Sequence, residues 1–425
     1  MKKRTGKMIS LSLAVAMAVT AAPVTALAVD EPVQNGIEAS ELTPAQSAGE
    51  TETDTTTVDA KEEEGTAWAA LSPSEKVEEE AMNDLPEVTE TEKTVRGEGT
   101  KENPYQVSTE AELKEAVESG GYLQISDNIE IKNTLVIEKD VNLDLNGKTL
   151  TCSSKEIGIQ VKSRSTLIED SADNGKITTS NMSTILVKVS AGAEFTLNSG
   201  TLENTNGDFS DENVILNYGT LNIDGGVIKG VSCIHANASQ YETTAPTEEK
   251  SIVNITNGQL IGTPCETDIQ HEDKYTNISY GLTWFGLGMG KSGIYNKEPD
   301  PINDAVVINI SGGKISGGQA LGTNASSGKY AGFTLNISDD AKIVSSNDCA
   351  AYLPGYGITN ISGGKLSGPQ GIRIAAGELN ITGGTIEGTS LTDGKDLQSG
   401  GSGGTLGAIV VGKASGGYLG NIDVN

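Results

Sequence analysis

The chain has 425 residues, of which 52 are glycine and only 4% are aromatic, and its formal net charge is −28. Nucleic acid binding requires a basic stripe facing the phosphates, and the sequence has none. Composition therefore argues against nucleic acid as a partner.

The first 28 residues have the features of an export signal. Four basic residues precede an apolar run from Met8 to Val24, and Ala26-Leu27-Ala28 supplies a cleavage site. The apolar run is interrupted and shorter than the ~20 residues of a membrane span. We therefore predict a signal peptide at 1–28, no membrane span in the mature chain, and a secreted or extracellular protein that is either free or associated with the cell surface.

Residues 29–96 form the next compositional unit. They contain 19 acidic and four basic residues, with threonine-rich runs between them. Such a segment buries too little apolar surface to offset the entropy of ordering. The sequence predicts a disordered acidic linker.

An ordered domain is predicted from residue 97 to residue 425, with residues 97–121 as its N-terminal cap. Thr109 and Glu112 form a capping box, and Gly120 with Gly121 ends the predicted helix. Beyond it the helical period disappears, and short strands follow, at Tyr122–Ile125, Leu135–Ile137 and Val141–Leu145.

A short phrase then recurs through the domain. The copies are LNSGTLEN at 197, LNIDGGVIKG at 221, VNITNGQLIG at 253, INISGGKISG at 308, LNISDDAKIVS at 335, TNISGGKLSG at 359 and LNITGGTIEG at 379. The aliphatic residues of each copy face one way and the asparagine faces the other, and paired glycines permit a turn with positive φ. Strands this short need neighbours stacked on both sides. The period predicts an all-β fold, a right-handed parallel β-helix with a short N-terminal capping helix.

Three segments carry a family resemblance: residues 347–388, VNLDLNGKTLT at 141 and TLIEDSADNGKIT at 166. They resemble the pectin-lyase-like right-handed β-helix proteins that gut Firmicutes secrete or display, and the similarity covers roughly residues 97–425. The resemblance implies the fold. It does not imply one activity, because the family includes lyases, hydrolases and proteins without demonstrated chemistry.

The resemblance suggests two catalytic designs, calcium-holding carboxylates beside a basic residue, and aspartates on adjacent coils near His and Arg-x-Lys. The mature chain has few arginines and histidines: Arg96, Arg164, Arg373, His235 and His271. Arg373 is the candidate catalytic base, since strand alternation turns it outward between Ile372 and Ile374. An outward arginine on a strand is more often a solvated surface residue, and that interpretation is favoured.

Asp339 and Asp340 stand where other copies have two glycines. They are the candidate metal residues, for Ca²⁺, although a solvated turn is the favoured interpretation because a calcium site needs more oxygen ligands. No other cofactor is predicted. The four cysteines, Cys152, Cys233, Cys265 and Cys349, match no zinc spacing, so we expect buried thiols or one disulfide.

The asparagines of the repeats have a structural explanation. Side chains at equivalent positions of successive coils can form a hydrogen-bonded ladder. We therefore expect stability, without a ligand, as the role of the recurring residues Asn254, Asn309, Asn336, Asn360 and Asn380.

The 55 residues between Asn254 and Asn309 exceed one coil, so residues 263–305 are predicted to leave the solenoid as an insertion. This segment concentrates the scarce aromatic residues, and Tyr280, Trp284, Phe285 and Tyr295 are the candidate glycan-binding residues. The alternative, favoured slightly, is that they pack as a small satellite core.

These features predict a non-enzymatic, adhesin-like β-helix protein whose partner is a carbohydrate or a host or bacterial surface protein. The alternatives are a polysaccharide lyase or glycoside hydrolase with a diverged site around Arg373, and a structural stalk. The sequence stops at Asn425 inside an apparent new repeat, so we expect either that the chain is a fragment or that another segment covers that end.

Overall fold

The computed structural model describes residues 95–181, 184–206, 213–242, 249–264, 279–286, 305–323, 332–389, 407–412 and 419–425. Within these ranges the chain forms three long parallel β-sheets, which we call sheets A, B and C. Each coil contributes one strand to A, then one to B, then one to C. The fold is a right-handed parallel β-helix, as the repeat pattern predicts.

The strands are short, and each pairs with the equivalent strand of the coils before and after it. Sheet A contains Tyr105–Val107, Gly121–Ile125, Val141–Asp144, Thr166–Glu169, Glu194–Leu197, Thr220–Ile223, Ser251–Ile255, Val306–Ile310, Phe333–Ile337, Ile358–Ile361, Gly377–Ile381 and Ile422–Val424. Sheet B contains Ile129–Ile131, Thr149–Cys152, Lys176–Thr179, Thr201–Asn204, Val227–Gly230, Gln259–Gly262, Lys314–Gly317, Lys342–Ser345, Lys365–Gly368 and Thr385–Gly388. Sheet C contains Leu135–Ile137, Ile157–Val161, Ile185–Val189, Asn213–Asn217, Ser232–Asn237, Tyr280–Phe285, Gln319–Thr323, Cys349–Leu353, Gln370–Ile374 and Ile409–Val411.

The α-helix Glu110–Ser119 covers the N-terminal end of the stack and matches the predicted cap. Thr109 Oγ1 accepts a hydrogen bond from the Glu112 amide at 3.2 Å, and Gly120, with φ of 77°, ends the helix. The apolar side chains Leu113 and Val117 are buried against the first coil. No helix in the described ranges has the length and apolar character needed to cross a membrane.

The core is a set of aliphatic columns that run along the solenoid axis. On sheet A one column consists of Leu143, Ile168, Leu197, Ile223, Ile255, Ile310, Ile337 and Ile361, all buried and in register. Each side chain covers the apolar surface of the next. The hydrophobic effect, at about 25 cal/mol per Å² of buried apolar area, therefore accumulates coil by coil.

The turn between sheets A and B uses left-handed backbone. Gly364 and Gly384 have φ of 76° and 88°, and a Cβ at Gly384 would lie 2.5 Å from the carbonyl oxygen of Gly363. In LNISDDAKIVS, one of the copies without two consecutive glycines, Asp339 adopts φ of 48°. This explains the paired glycines of the repeat: the turns of successive coils pack too closely for a side chain.

Sheet C differs from the other two sheets on its outer face. Outward side chains on its middle and later strands are buried: Leu216, His235, Thr283, Tyr352 and Arg373. Part of the cover is the 3₁₀ turn Ser239–Tyr241 with Glu242. Glu242 forms an ion pair with Lys188 at 2.8 Å and also accepts a hydrogen bond from the Ala191 amide at 2.6 Å. Sheets A and B thus present the accessible outer faces.

Candidate functional site: the outer face of sheet B

The outer face of sheet B is a ribbon with two outward positions on each strand. The first row is Thr149, Lys176, Thr201, Val227, Gln259, Lys314, Lys342, Lys365 and Thr385. The second row is Glu130, Thr151, Thr178, Glu203, Lys229, Ile261, Ser316, Val344, Ser367 and Glu387. Strands about 4.8 Å apart make this ribbon roughly 43 Å long.

A shallow groove lies at the N-terminal end of the ribbon. Its volume is about 480 Å³, and its lining residues are Asn128, Ile129, Glu130, Thr149, Thr151, Lys176 and Thr178. The side-chain hydroxyl groups of Thr149, Thr151 and Thr178 make no hydrogen bond within the described residues. The groove therefore offers three hydroxyl groups, one ammonium and one carboxylate on three successive strands.

The chemistry of this groove suits a ligand rich in hydroxyl groups. Each threonine hydroxyl can donate and accept, and the strand register places Glu130, Thr151 and Thr178 in one row across three strands, with Thr149 beside them. Glu130 is the single carboxylate among the lining residues, and it accepts a hydrogen bond from Ser153 Oγ at 2.6 Å. Glycoside hydrolysis uses two carboxylates across the scissile bond, and the lining residues supply one.

Three lysines stack towards the C-terminal end of the ribbon. Lys314, Lys342 and Lys365 occupy the same position on consecutive strands, and all three are exposed. Lys365 pairs with Glu387 at 2.9 Å, whereas Lys314 and Lys342 have no ion-pair partner among the described residues. The signal is present in the aligned repeats as KISG, KIVS and KLSG, but only the strand register reveals that the lysines are neighbours.

Arg373, the candidate base, faces outward on sheet C as strand alternation predicts, but it is only 4% exposed. It lies opposite Tyr352 on the preceding coil. The pKa of the nearby Cys349 thiol is well above its usual range, because of burial and the carboxylate of Asp348, while the charge of Arg373 acts in the opposite direction. The favoured expectation of a solvated surface arginine is therefore wrong, because this outward side chain is buried.

The aromatic candidates also lie on sheet C. The strand Tyr280–Phe285 pairs with Ser232–Asn237 and Gln319–Thr323, so these residues belong to a regular coil and not to an insertion. Of the predicted insertion, residues 265–278 and 287–304 lie outside the described residues, and Tyr295 is among them.

Trp284 points into the core, where its ring centroid lies 5.2 Å from that of Phe333. Phe285 points outward but is also buried, with its ring edge-on to His235 at 4.5 Å. Tyr280 is half-buried. Neither Trp284 nor Phe285 presents a ring face on which a sugar could stack. The prediction that Trp284 and Phe285 form an exposed glycan-binding surface is therefore wrong. Strand alternation turns Trp284 into the core, and Phe285 is buried on the outer face of sheet C.

His235 is the buried titratable group of this cluster. Its Nδ1 lies 2.7 Å from Thr283 Oγ1, and burial lowers the pKa of the imidazole to about 4. The ring is therefore neutral at physiological pH. Its packing against Phe285 and Thr283 gives it a structural role in joining two neighbouring coils.

The remaining candidates can be placed individually. Asp339 and Asp340 are exposed on a turn, and no group of three or more metal-ligating side chains occurs in the described part of the chain. Cys152, Cys233 and Cys349 are buried free thiols, and Cys265 lies outside the described residues. Burial raises the pKa of Cys152 and of Cys233 to about 12, so both thiols are protonated and unreactive in the folded protein.

Comparison with known proteins returns no relative. No protein-family model matches the chain, no curated protein matches it, and no solved structure matches it.

Proposed function

We propose that the chain is an exported β-helix protein of the pectin-lyase-like type that binds carbohydrate in the groove of sheet B without cleaving it. The observation that carries this proposal is a cluster of three threonine hydroxyls that have no hydrogen-bond partner among the described residues: Thr151 and Thr178 are neighbours in the second row, and Thr149 lies beside them in the first row, on an open face of a rigid solenoid. A sugar chain lying across the strands would meet one polar position every ~4.8 Å. The protein would then act at the cell surface or in the surrounding medium as an adhesin-like binder.

The competing enzymatic proposal places a lyase or hydrolase site at Arg373. Burial of that guanidinium on the outer face of sheet C argues against it, since a polymeric substrate needs access to the reacting group. The stalk alternative gains support only if the groove binds nothing. The groove therefore replaces the aromatic residues as the proposed glycan site.

The test is a neutral oligosaccharide array probed with the full secreted chain. The blocking variant is the double substitution Thr151→Arg and Thr178→Arg, which fills the groove with two long side chains. Its matched control is Ser367→Arg with Thr385→Arg, which adds the same charge to the same face at the opposite end. Both variants are first checked for wild-type melting behaviour.

Signals that disappear in the blocking variant and persist in the control would support the proposal. Equal binding by both variants would exclude the groove as the site. A wild-type chain that binds no glycan would contradict carbohydrate binding and leave the stalk as the better explanation.

A further inference from the structure

The lysine row, Lys314, Lys342 and Lys365, is at odds with the charge of the rest of the chain. The sequence has 58 acidic residues against 30 basic ones, yet three ammonium groups lie on adjacent strands of one face. Their backbone positions are about 4.8 Å apart. Like charges placed directly opposite each other on neighbouring strands oppose folding.

Within the described part of the chain, the row is neutralised only at one end. Glu387 pairs with the terminal member, Lys365, and both side chains remain about half exposed, at 43% and 54%. Asp339 and Asp340 lie on the turn that precedes the strand of Lys342, but neither forms an ion pair with it among the described residues. Other coils place threonine at the same position, at Thr149, Thr201 and Thr385, so the fold does not require lysine there.

The geometry points to a linear ligand. The three side chains project from one line parallel to the solenoid axis, over a length of about 10 Å between the outer members. A single small anion can contact only part of this row, whereas an extended polyanion can place one charge against each lysine. A bound polyanion would offset the repulsion between neighbouring lysines, and each lysine would gain an attraction to a charge of the ligand.

We propose that the lysine row binds an extended polyanion, as a local exception to the acidic composition that argues against nucleic acid as a partner. Lysine contacts an anionic group as a point charge without a geometric requirement, so the row is complementary to the line of charges of a polyanion and not to one type of anionic group. The site lies four strands beyond the threonine groove on the ribbon, about 19 Å away, and does not depend on glycan binding there.

The experiment measures binding of inorganic polyphosphate to the full chain over a range of salt concentrations. The test variant carries Lys314→Thr, Lys342→Thr and Lys365→Thr, which copies the residue found at this position on other coils. The matched control carries Lys132→Thr, Lys139→Thr and Lys155→Thr, three exposed lysines at the other end of the solenoid. Both triple variants change the net charge equally.

We expect the test variant to bind at least ~10-fold more weakly than wild type and its salt dependence to fall by about two to three units of slope. The control should bind within about twofold of wild type. The proposal is overturned if wild type does not bind polyphosphate at low salt, or if the control loses as much affinity as the test variant. It is also overturned if inorganic orthophosphate binds the row as tightly as polyphosphate, since an extended ligand is then not required.

Discussion

Asn336 and Asn309 occupy the same position on neighbouring strands of sheet A, and Asn336 Nδ2 donates a hydrogen bond to Asn309 Oδ1 at 2.8 Å. The same contact joins Asn254 to Asn222, Asn309 to Asn254, Asn360 to Asn336, Asn380 to Asn360, and Asn425 to Asn380. Each internal amide donates to one neighbour and accepts from the other. The predicted ladder is therefore confirmed as a continuous chain of amides along the outer face of sheet A.

Removal of one amide from the middle of this ladder should destabilise the solenoid. Asn336→Ala deletes the bond to Asn309 and the bond from Asn360, and leaves an unpartnered acceptor and donor in half-buried positions. We expect a loss of about 1–3 kcal/mol in the free energy of unfolding. Chemical denaturation measures this loss, and the slope of the unfolding transition should be the same in the variant and in wild type.

The control is Asn142→Ala, in the same row of sheet A. Asn142 lies between Tyr122 and Leu167, so it has no amide neighbour on either side. Its substitution should change the free energy of unfolding by less than about 0.5 kcal/mol. Equal losses for the two variants would mean that the ladder contributes no specific stability.

The ladder also shows what the sequence could predict. The asparagines recur at one position of each copy, so an alignment of the copies is sufficient to identify their common face. The aliphatic columns follow from the same alignment, because their residues flank the asparagine by one position. Local periodicity is sufficient where every coil repeats the same contacts.

The parts that could not be predicted depend on contacts without a period. Tyr241 of the turn Ser239–Tyr241 bonds to Gly286 next to the buried Phe285, and this turn matches no repeat. The burial of Arg373 on the outer face of the same sheet likewise has no signal in the repeat pattern. The repeat spacing assigns the strand Tyr280–Phe285 to an insertion, because loops of unequal length hide its place in the coil. The lysine row emerges only when the register of sheet B is known, since Lys342 follows a turn one residue longer than those of its neighbours.

The buried position of Trp284 predicts how its fluorescence should behave. Trp68→Phe leaves Trp284 as the single tryptophan of the chain. Since its ring packs inside the core against Phe333, we expect a blue-shifted emission and weak quenching by acrylamide in the folded protein. Unfolding should shift the emission to the red and increase the quenching. Strong quenching under native conditions would contradict the inward orientation.

His235 should make stability depend on pH. The folded-state pKa is about 4, below the value of about 6.5 of an unperturbed histidine. Above about pH 6.5, His235 is neutral in both the folded and the unfolded state, and its full contribution to stability is present. As pH falls from about 6.5 to 4, only the unfolded state gains a proton, so the free energy of unfolding falls by at most about 1.4 kcal/mol per pH unit.

The measurement is urea denaturation of wild type and His235→Gln at pH 7, 6 and 5. Glutamine retains a polar group beside Thr283 but does not titrate, so the variant should lose less stability than wild type on acidification. His271 and the carboxylates are present in both proteins and cancel in the difference. Parallel pH profiles would show that His235 is not held neutral by the fold.

The ion pair between Lys188 and Glu242 should hold the turn Ser239–Tyr241 against the outer face of sheet C. Its side chains are only 19% and 10% exposed, and Lys188 Nζ also lies 5.3 Å from the centre of the Tyr218 ring. Glu242→Gln keeps an acceptor for the Ala191 amide but leaves the lysine without its counter-charge. We expect a loss of about 1–3 kcal/mol in the free energy of unfolding, since a largely buried ammonium remains without its counter-charge.

The matched control for this pair is Glu138→Gln. Glu138 pairs with Lys162 at 3.2 Å, but their side chains are 69% and 44% exposed, so solvent screens the interaction. Its loss should cost less than about 1 kcal/mol. Denaturation midpoints of the two variants, measured side by side, separate the effect of burial from that of charge removal. If Glu242→Gln is as mild as Glu138→Gln, the ion pair does not hold the cover, and the hydrogen bonds of Ser239 and Tyr241 must do so instead.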